Sequence, residues 1–149
     1  MGKMGKMGTM GKRAAEPGRG WKILVVDDEE KVQRLAKECI RLALGDQHAV
    51  VLASDGETAI SAASQQRPDL ILLDIAMPGT DGFEVCRRLK ASPATSDIPV
   101  VFLTGRGDQE AVEEGLALGG DAYVVKPFNA VTLAAQISEL LAPREEKRE

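Results

Sequence analysis

Five short apolar runs recur along the chain, at residues 23–26, 49–53, 70–73, 100–103 and 122–125. They are rich in Val, Ile and Leu and do not alternate with polar positions, which is how strands read when both faces of a parallel sheet are covered. Between them the spacing changes to that of helices. Val32, Leu35, Ala36, Cys39, Ile40 and Ala43 form one apolar stripe, and Ala130, Leu133, Ala134, Ile137 and Leu141 form another. Residues 59–63 and 83–89 predict two shorter helices, and 111–118 a fifth, weakened by Gly115. Strands alternating with helices in this way predict right-handed βαβ units and a doubly wound α/β domain with a five-stranded parallel sheet. The pattern spans residues 21–142; Pro143 and the charged residues 144–149 end it as a tail or linker stub.

Composition narrows this picture. The 149 residues fit one domain with a real core, and 44 % hydrophobic against 28 % charged residues is a soluble, globular balance. No apolar run approaches a membrane span. Cys39 and Cys86 lie in separate helical patterns, so reduced thiols are expected and a cytoplasmic location with them. The net charge of −4 hides an asymmetry: residues 1–20 carry Lys3, Lys6, Lys12, Arg13 and Arg19 against Glu16, which leaves −8 on the rest. An acidic body argues against nucleic-acid binding by the domain itself. Met-Gly-Lys triplets dominate the first twelve residues, a low-complexity leader read as disordered. A myristoylated Gly2 would want Ser or Thr at position 6, where Lys6 stands.

The chemistry gathers where the strands end. The first runs into Asp27-Asp28, the third into Asp74, the fourth into Thr104 and the fifth into Lys126-Pro127. In a parallel sheet all of these reach the same carboxyl edge, where doubly wound domains bind ligands. Singly each has an ordinary explanation: Asp28 as the N-cap of the following helix, Thr104 as a turn residue before Gly105. Their convergence does not. Three clustered carboxylates repel one another unless a cation relieves them, and an oxygen-only set with room for water suits Mg²⁺. A Mg²⁺ site beside a lysine, a hydroxyl and a free carboxylate oxygen is an arrangement for phosphoryl transfer.

These residues resemble the receiver domain of two-component response regulators. The resemblance rests on Asp27-Asp28, Leu72-Leu73-Asp74 with Met77-Pro78 and Asp81-Gly82, Thr104, and Tyr123 with Lys126-Pro127-Phe128, and it covers residues 22 to 141. It implies a flavodoxin-like (βα)5 sheet of strand order 2-1-3-4-5. It also implies that Asp74 accepts a phosphoryl group from a histidine kinase or phosphotransfer protein. Asp28, Asp74 and the backbone carbonyl of Ala76 would hold Mg²⁺, with Asp27 acting through water. Lys126 would pair with the phosphate, Thr104 would move to hydrogen-bond it, and Tyr123 would swing into the space Thr104 leaves. The Lys126–Pro127 bond is expected to be cis. The implied output would be a shifted surface around the fourth helix and fifth strand that controls a downstream protein.

Departures from the pattern refine the expectation. Gly105 stands where the family most often has Ala, and Ala76 and Arg106 occupy positions that tune dephosphorylation. The charged network through which winged-helix regulators dimerise is absent, its places held by Ala122, Thr132 and Gln136, so a monomer is expected. A phosphohydrolase of the aspartate-nucleophile kind needs a second acid two residues after the nucleophile; Ala76 is there, so a phosphoacceptor rather than an enzyme is expected. The alternatives are a receiver-like interaction module that works without phosphorylation, and a receiver excised from a larger regulator or hybrid kinase. His48 precedes the second strand, away from the site, and Arg87, Arg88 and Lys90 read as a solvated helix face.

Overall fold

The computed structural model describes residues 20–105 and 109–141. The leader, Arg106 and the charged tail lie outside the described residues. The elements follow in the order β1 (Lys22–Val26), α1 (Glu30–Leu44), β2 (Ala49–Ala53), α2 (Gly56–Gln66), β3 (Leu70–Asp74), α3 (Gly82–Ala91), β4 (Val100–Thr104), α4 (Gln109–Ala117), β5 (Ala122–Val125) and α5 (Ala130–Leu141). All strand pairs are parallel and the sheet order is β2-β1-β3-β4-β5, as expected.

Strand alternation divides the core in two. Leu24, Val26, Ile71, Leu73, Val100 and Phe102 face one side, where Ala59 and Ala63 of α2 and Val85, Cys86 and Leu89 of α3 cover them. Ile23, Val25, Leu70, Leu72, Val101, Leu103 and Val124 face the other, under Ala36, Cys39 and Ile40 of α1 and Leu133 and Ile137 of α5. The expectation that strands are covered on both faces holds for β3 and β4, whose residues are all buried, and for β1 from Ile23 onward. It does not hold for β2 and β5, which form the sheet edges and leave Ala49, Leu52 and Tyr123 exposed. An edge strand has a neighbour on one flank only, so its cover is incomplete.

As expected, β3 ends in Asp74 and β4 in Thr104. Other features differ from the expectation for local reasons. The shorter helices start earlier than their apolar stripes because their first turns are polar and capped. The Asp55 carboxylate accepts from the Thr58 N–H at 2.8 Å and that of Asp81 from the Phe83 N–H at 2.9 Å. On α1, Leu35 is 41 % exposed and Ala43 is exposed, whereas Gln33 is buried. The buried stripe is centred on Ala36, Cys39 and Ile40, and Leu35 falls on its outer flank. Gly115, expected to weaken α4, faces two aromatic rings: a β-carbon there would lie 2.6 Å from the Phe102 ring and 2.8 Å from Phe83.

One glycine sets the position of the acidic edge. A β-carbon on Gly82 would meet the Cα of Ile75 at 2.5 Å and the carbonyl oxygen of Asp74 at 2.7 Å. The start of α3 is thus pressed against the backbone that leaves β3, and any side chain would push the two apart. Gly82→Ala should therefore destabilise the fold by about 1–3 kcal/mol. The measurement is the urea midpoint at unchanged slope, and an unmoved midpoint would show that the contact is slack. Burial also pushes the thiols of Cys39 and Cys86 up, and both are free. The native protein should react with Ellman's reagent more than about tenfold more slowly than the chain in guanidinium chloride; equal rates would contradict their burial.

Candidate functional site

The sheet brings Asp27, Asp28 and Asp74 together: carboxylate oxygens of all three lie within 4.8 Å of one another. Two adjacent strands carry them, since Val26 of β1 is in register with Leu73 of β3. The two aspartates after β1 diverge. Asp27 is fully buried, and Asp28 is exposed. Asp28 is not the N-cap of α1; that position is Glu29, which makes no side-chain cap, and the Glu29 N–H donates to Asp27 Oδ1 at 2.9 Å. The ordinary explanation of Asp28 as a helix cap therefore fails.

Lys126 joins the strands across the edge. Its Nζ lies 3.0 Å from Asp27 Oδ2 and 3.2 Å from Asp74 Oδ2. Asp74 is buried, and its Oδ1 accepts from the Ala76 N–H at 3.0 Å. Burial pushes the Asp27 carboxyl above the usual range. The Glu29 N–H and Lys126 oppose this, and the charge of Asp74 adds to it. For Lys126 burial alone would pull the ammonium down, but the Asp27 and Asp74 carboxylates beside it outweigh this and hold it above its ordinary value. Asp27 Oδ2 is buried and, despite the nearby ammonium, has no hydrogen bond of good geometry. An oxygen-only donor set with such an undersatisfied carboxylate fits a hard divalent cation.

Thr104 and Lys126 share a backbone link: the Lys126 N–H donates to the Thr104 carbonyl at 2.7 Å. The Thr104 hydroxyl is buried and donates to the Gly105 carbonyl at 3.2 Å. Tyr123 lies opposite Phe102 in the β4–β5 register and is 37 % exposed, so its ring stands outside the site. The Lys126–Pro127 peptide is cis, as expected. Ala76 is exposed on the loop after β3.

Of the residues set aside on sequence grounds, His48, Arg87 and Arg88 are placed as anticipated, whereas Lys90 is not on a solvated face: its side chain is 18 % exposed and folds back onto backbone carbonyls. His48 stacks on Trp21 at 4.9 Å, at the opposite end of β1 from the carboxylates. Arg87 pairs with Glu84, Arg88 with Glu57 at 2.9 Å, and Lys90 donates to the Ile98 carbonyl at 2.8 Å. One residue escaped sequence reasoning. Gln33 is buried beside the site and donates to the Asp27 carbonyl at 2.7 Å. The available signal was its spacing of three and seven from Ala36 and Ile40, which puts a polar residue on the inward side of α1.

Among the described residues no helix is long and apolar enough to cross a membrane. The family model of the response regulator receiver domain matches residues 23–138. The response regulator PleD of Caulobacter vibrioides is 43 % identical over 122 residues, 80 % of this chain and 26 % of that protein. The transcriptional regulatory protein ResD of Bacillus subtilis is 39 % identical over 120 residues, 80 % of this chain and 48 % of that one. The chain thus spans half the length, or less, of these curated relatives. Among solved structures, a putative response regulator from Chloroflexus aurantiacus superposes with a TM-score of 0.76 at 31 % identity, covering 83 % of this chain and 98 % of that one. The chemotaxis response regulator CheY4 of Vibrio cholerae gives 0.74 at 30 % identity, covering 82 % and 99 %. With its parallel sheet in the order β2-β1-β3-β4-β5 and its acidic edge, this chain belongs to the receiver domain family of two-component response regulators.

Proposed function

We propose that Asp74 is the phosphoacceptor of this receiver, taking a phosphoryl group from a histidine kinase or phosphotransfer protein. The observation that carries the reading is the Lys126 ammonium 3.0 Å and 3.2 Å from two buried carboxylates, beside a third. An Asp74 oxygen attacks phosphorus, the P–N bond of the donor phosphohistidine breaks, and the imidazole nitrogen keeps the electron pair. The product is an acyl phosphate. Asp28, Asp74 and the Ala76 carbonyl are the groups to hold Mg²⁺, with Asp27 through water. When bound, Mg²⁺ supplies positive charge against the phosphoryl oxygens.

Lys126 then exchanges a carboxylate partner for the phosphoryl group. Thr104 exchanges a neutral carbonyl acceptor for a charged one, a stronger hydrogen bond that favours its movement. Tyr123, outside in this state, follows into the vacated space and changes the α4–β5 surface presented to a downstream protein. The domain is a stoichiometric switch and not a turnover enzyme, since Ala76 offers no general acid. It works as a cytoplasmic monomer without nucleic acid of its own.

Incubation with acetyl phosphate and Mg²⁺ should add one phosphoryl group by mass spectrometry, and Asp74→Asn should add none. A modification that persists in Asp74→Asn would sink the assignment. Because Ala122, Thr132 and Gln136 replace the charged dimer network, sedimentation should give a monomer with and without beryllofluoride. A beryllofluoride-induced dimer through α4, β5 and α5 would refute this.

A further inference from the structure

Among the described residues, two buried polar side chains stand outside the chemistry above. The Thr95 hydroxyl donates to the Leu89 carbonyl at 2.6 Å and closes the end of α3. Gln33 does something different. From the first turns of α1 its Nε2 lies 2.7 Å from the Asp27 carbonyl, 3.1 Å from Ser54 Oγ and 3.3 Å from the Ala53 carbonyl. One amide group therefore bonds acceptors after β1 and after β2, and ties together the two chain segments that leave neighbouring strands. The Ala53 carbonyl also accepts from the Asp27 N–H at 3.1 Å, so the Asp27 backbone is held on both sides.

The Asp27 carbonyl belongs to the peptide that joins Asp27 to Asp28. Rotation of that peptide would swing one carboxylate out of the cluster as it moved the other. Repulsion among three carboxylates within 4.8 Å drives such a rotation. A neutral amide resists it without adding charge to the site.

We infer that Gln33 is a positioning residue for the cation site, fixing the Asp27–Asp28 peptide so that both carboxylates reach the same ion. This rests on reading the acidic cluster as a Mg²⁺ site. The variant Gln33→Met keeps the length and removes the donors. Isothermal titration with MgCl₂ should show its Kd raised about tenfold. The rate of acetyl phosphate reaction at saturating Mg²⁺ should stay within about twofold of wild type, so the loss appears in half-saturation and not in the maximal rate. Amide hydrogen exchange at Glu29, whose N–H bonds Asp27 Oδ1, should quicken. Ser54→Ala, at an exposed residue, should shift the Kd the same way by less, and serves if Gln33→Met does not fold. An unchanged Kd in the folded Gln33→Met protein, or in Ser54→Ala if it alone folds, overturns the inference. A wild-type protein that binds no Mg²⁺ overturns the cation reading as well, whereas binding that is equal in wild type and variant overturns only the role of Gln33.

Discussion

The Lys126 ammonium held between the buried carboxylates of Asp27 and Asp74 is the interaction on which the acidic edge depends. Three carboxylates this close are stable in a folded protein only with positive charge among them. Lysine is suited to this because its charge sits at the end of a flexible stem, able to trade one anionic partner for another. A structural ion pair would be best served by a rigid fork such as arginine, with every lone pair satisfied. Here Asp27 Oδ2 is left without a well-aligned bond. Both contacts are of ordinary ion-pair length, and the flexible lysine stem lets either one be exchanged for a new partner.

Much of this arrangement was legible in the chain. A run of four apolar residues predicted a covered strand, and its end predicted where Asp74 would emerge. Parallel topology then placed Asp27, Asp28, Thr104 and Lys126 at one edge, because each follows or ends a strand pointing the same way. What the sequence could not resolve depends on contacts between distant segments. Asp27 and Asp28 are alike in sequence, yet one is buried and the other exposed, and the buried one pairs with Lys126, about a hundred residues away along the chain. The inward position of Gln33 was legible from its spacing, but its partners were not, since the acceptors Ala53 and Ser54 come from the next strand and loop.

Gly115 and Gly82 carry a related lesson. By helix propensity Gly115 is a weakness, and in isolation that is correct. In the fold the missing side chain lets α4 settle on Phe102, whose ring meets Phe83 edge-on at 5.7 Å. Propensity measures the cost of a glycine to its own helix and is silent on what a neighbour gains from the space.

The division of the core by strand alternation has a genetic consequence. Phe102 and Tyr123 stand opposite each other in register, and Phe102 packs with α2 and α3, while Val101, Leu103 and Val124 belong to the layer under α1 and α5. The sheet backbone acts as a partition between two clusters of buried side chains. Substitutions on opposite sides should combine without epistasis, their effects summing to within a few tenths of a kcal/mol. Lineages could therefore remodel the α1–α5 surface while leaving the layer beneath α4 undisturbed.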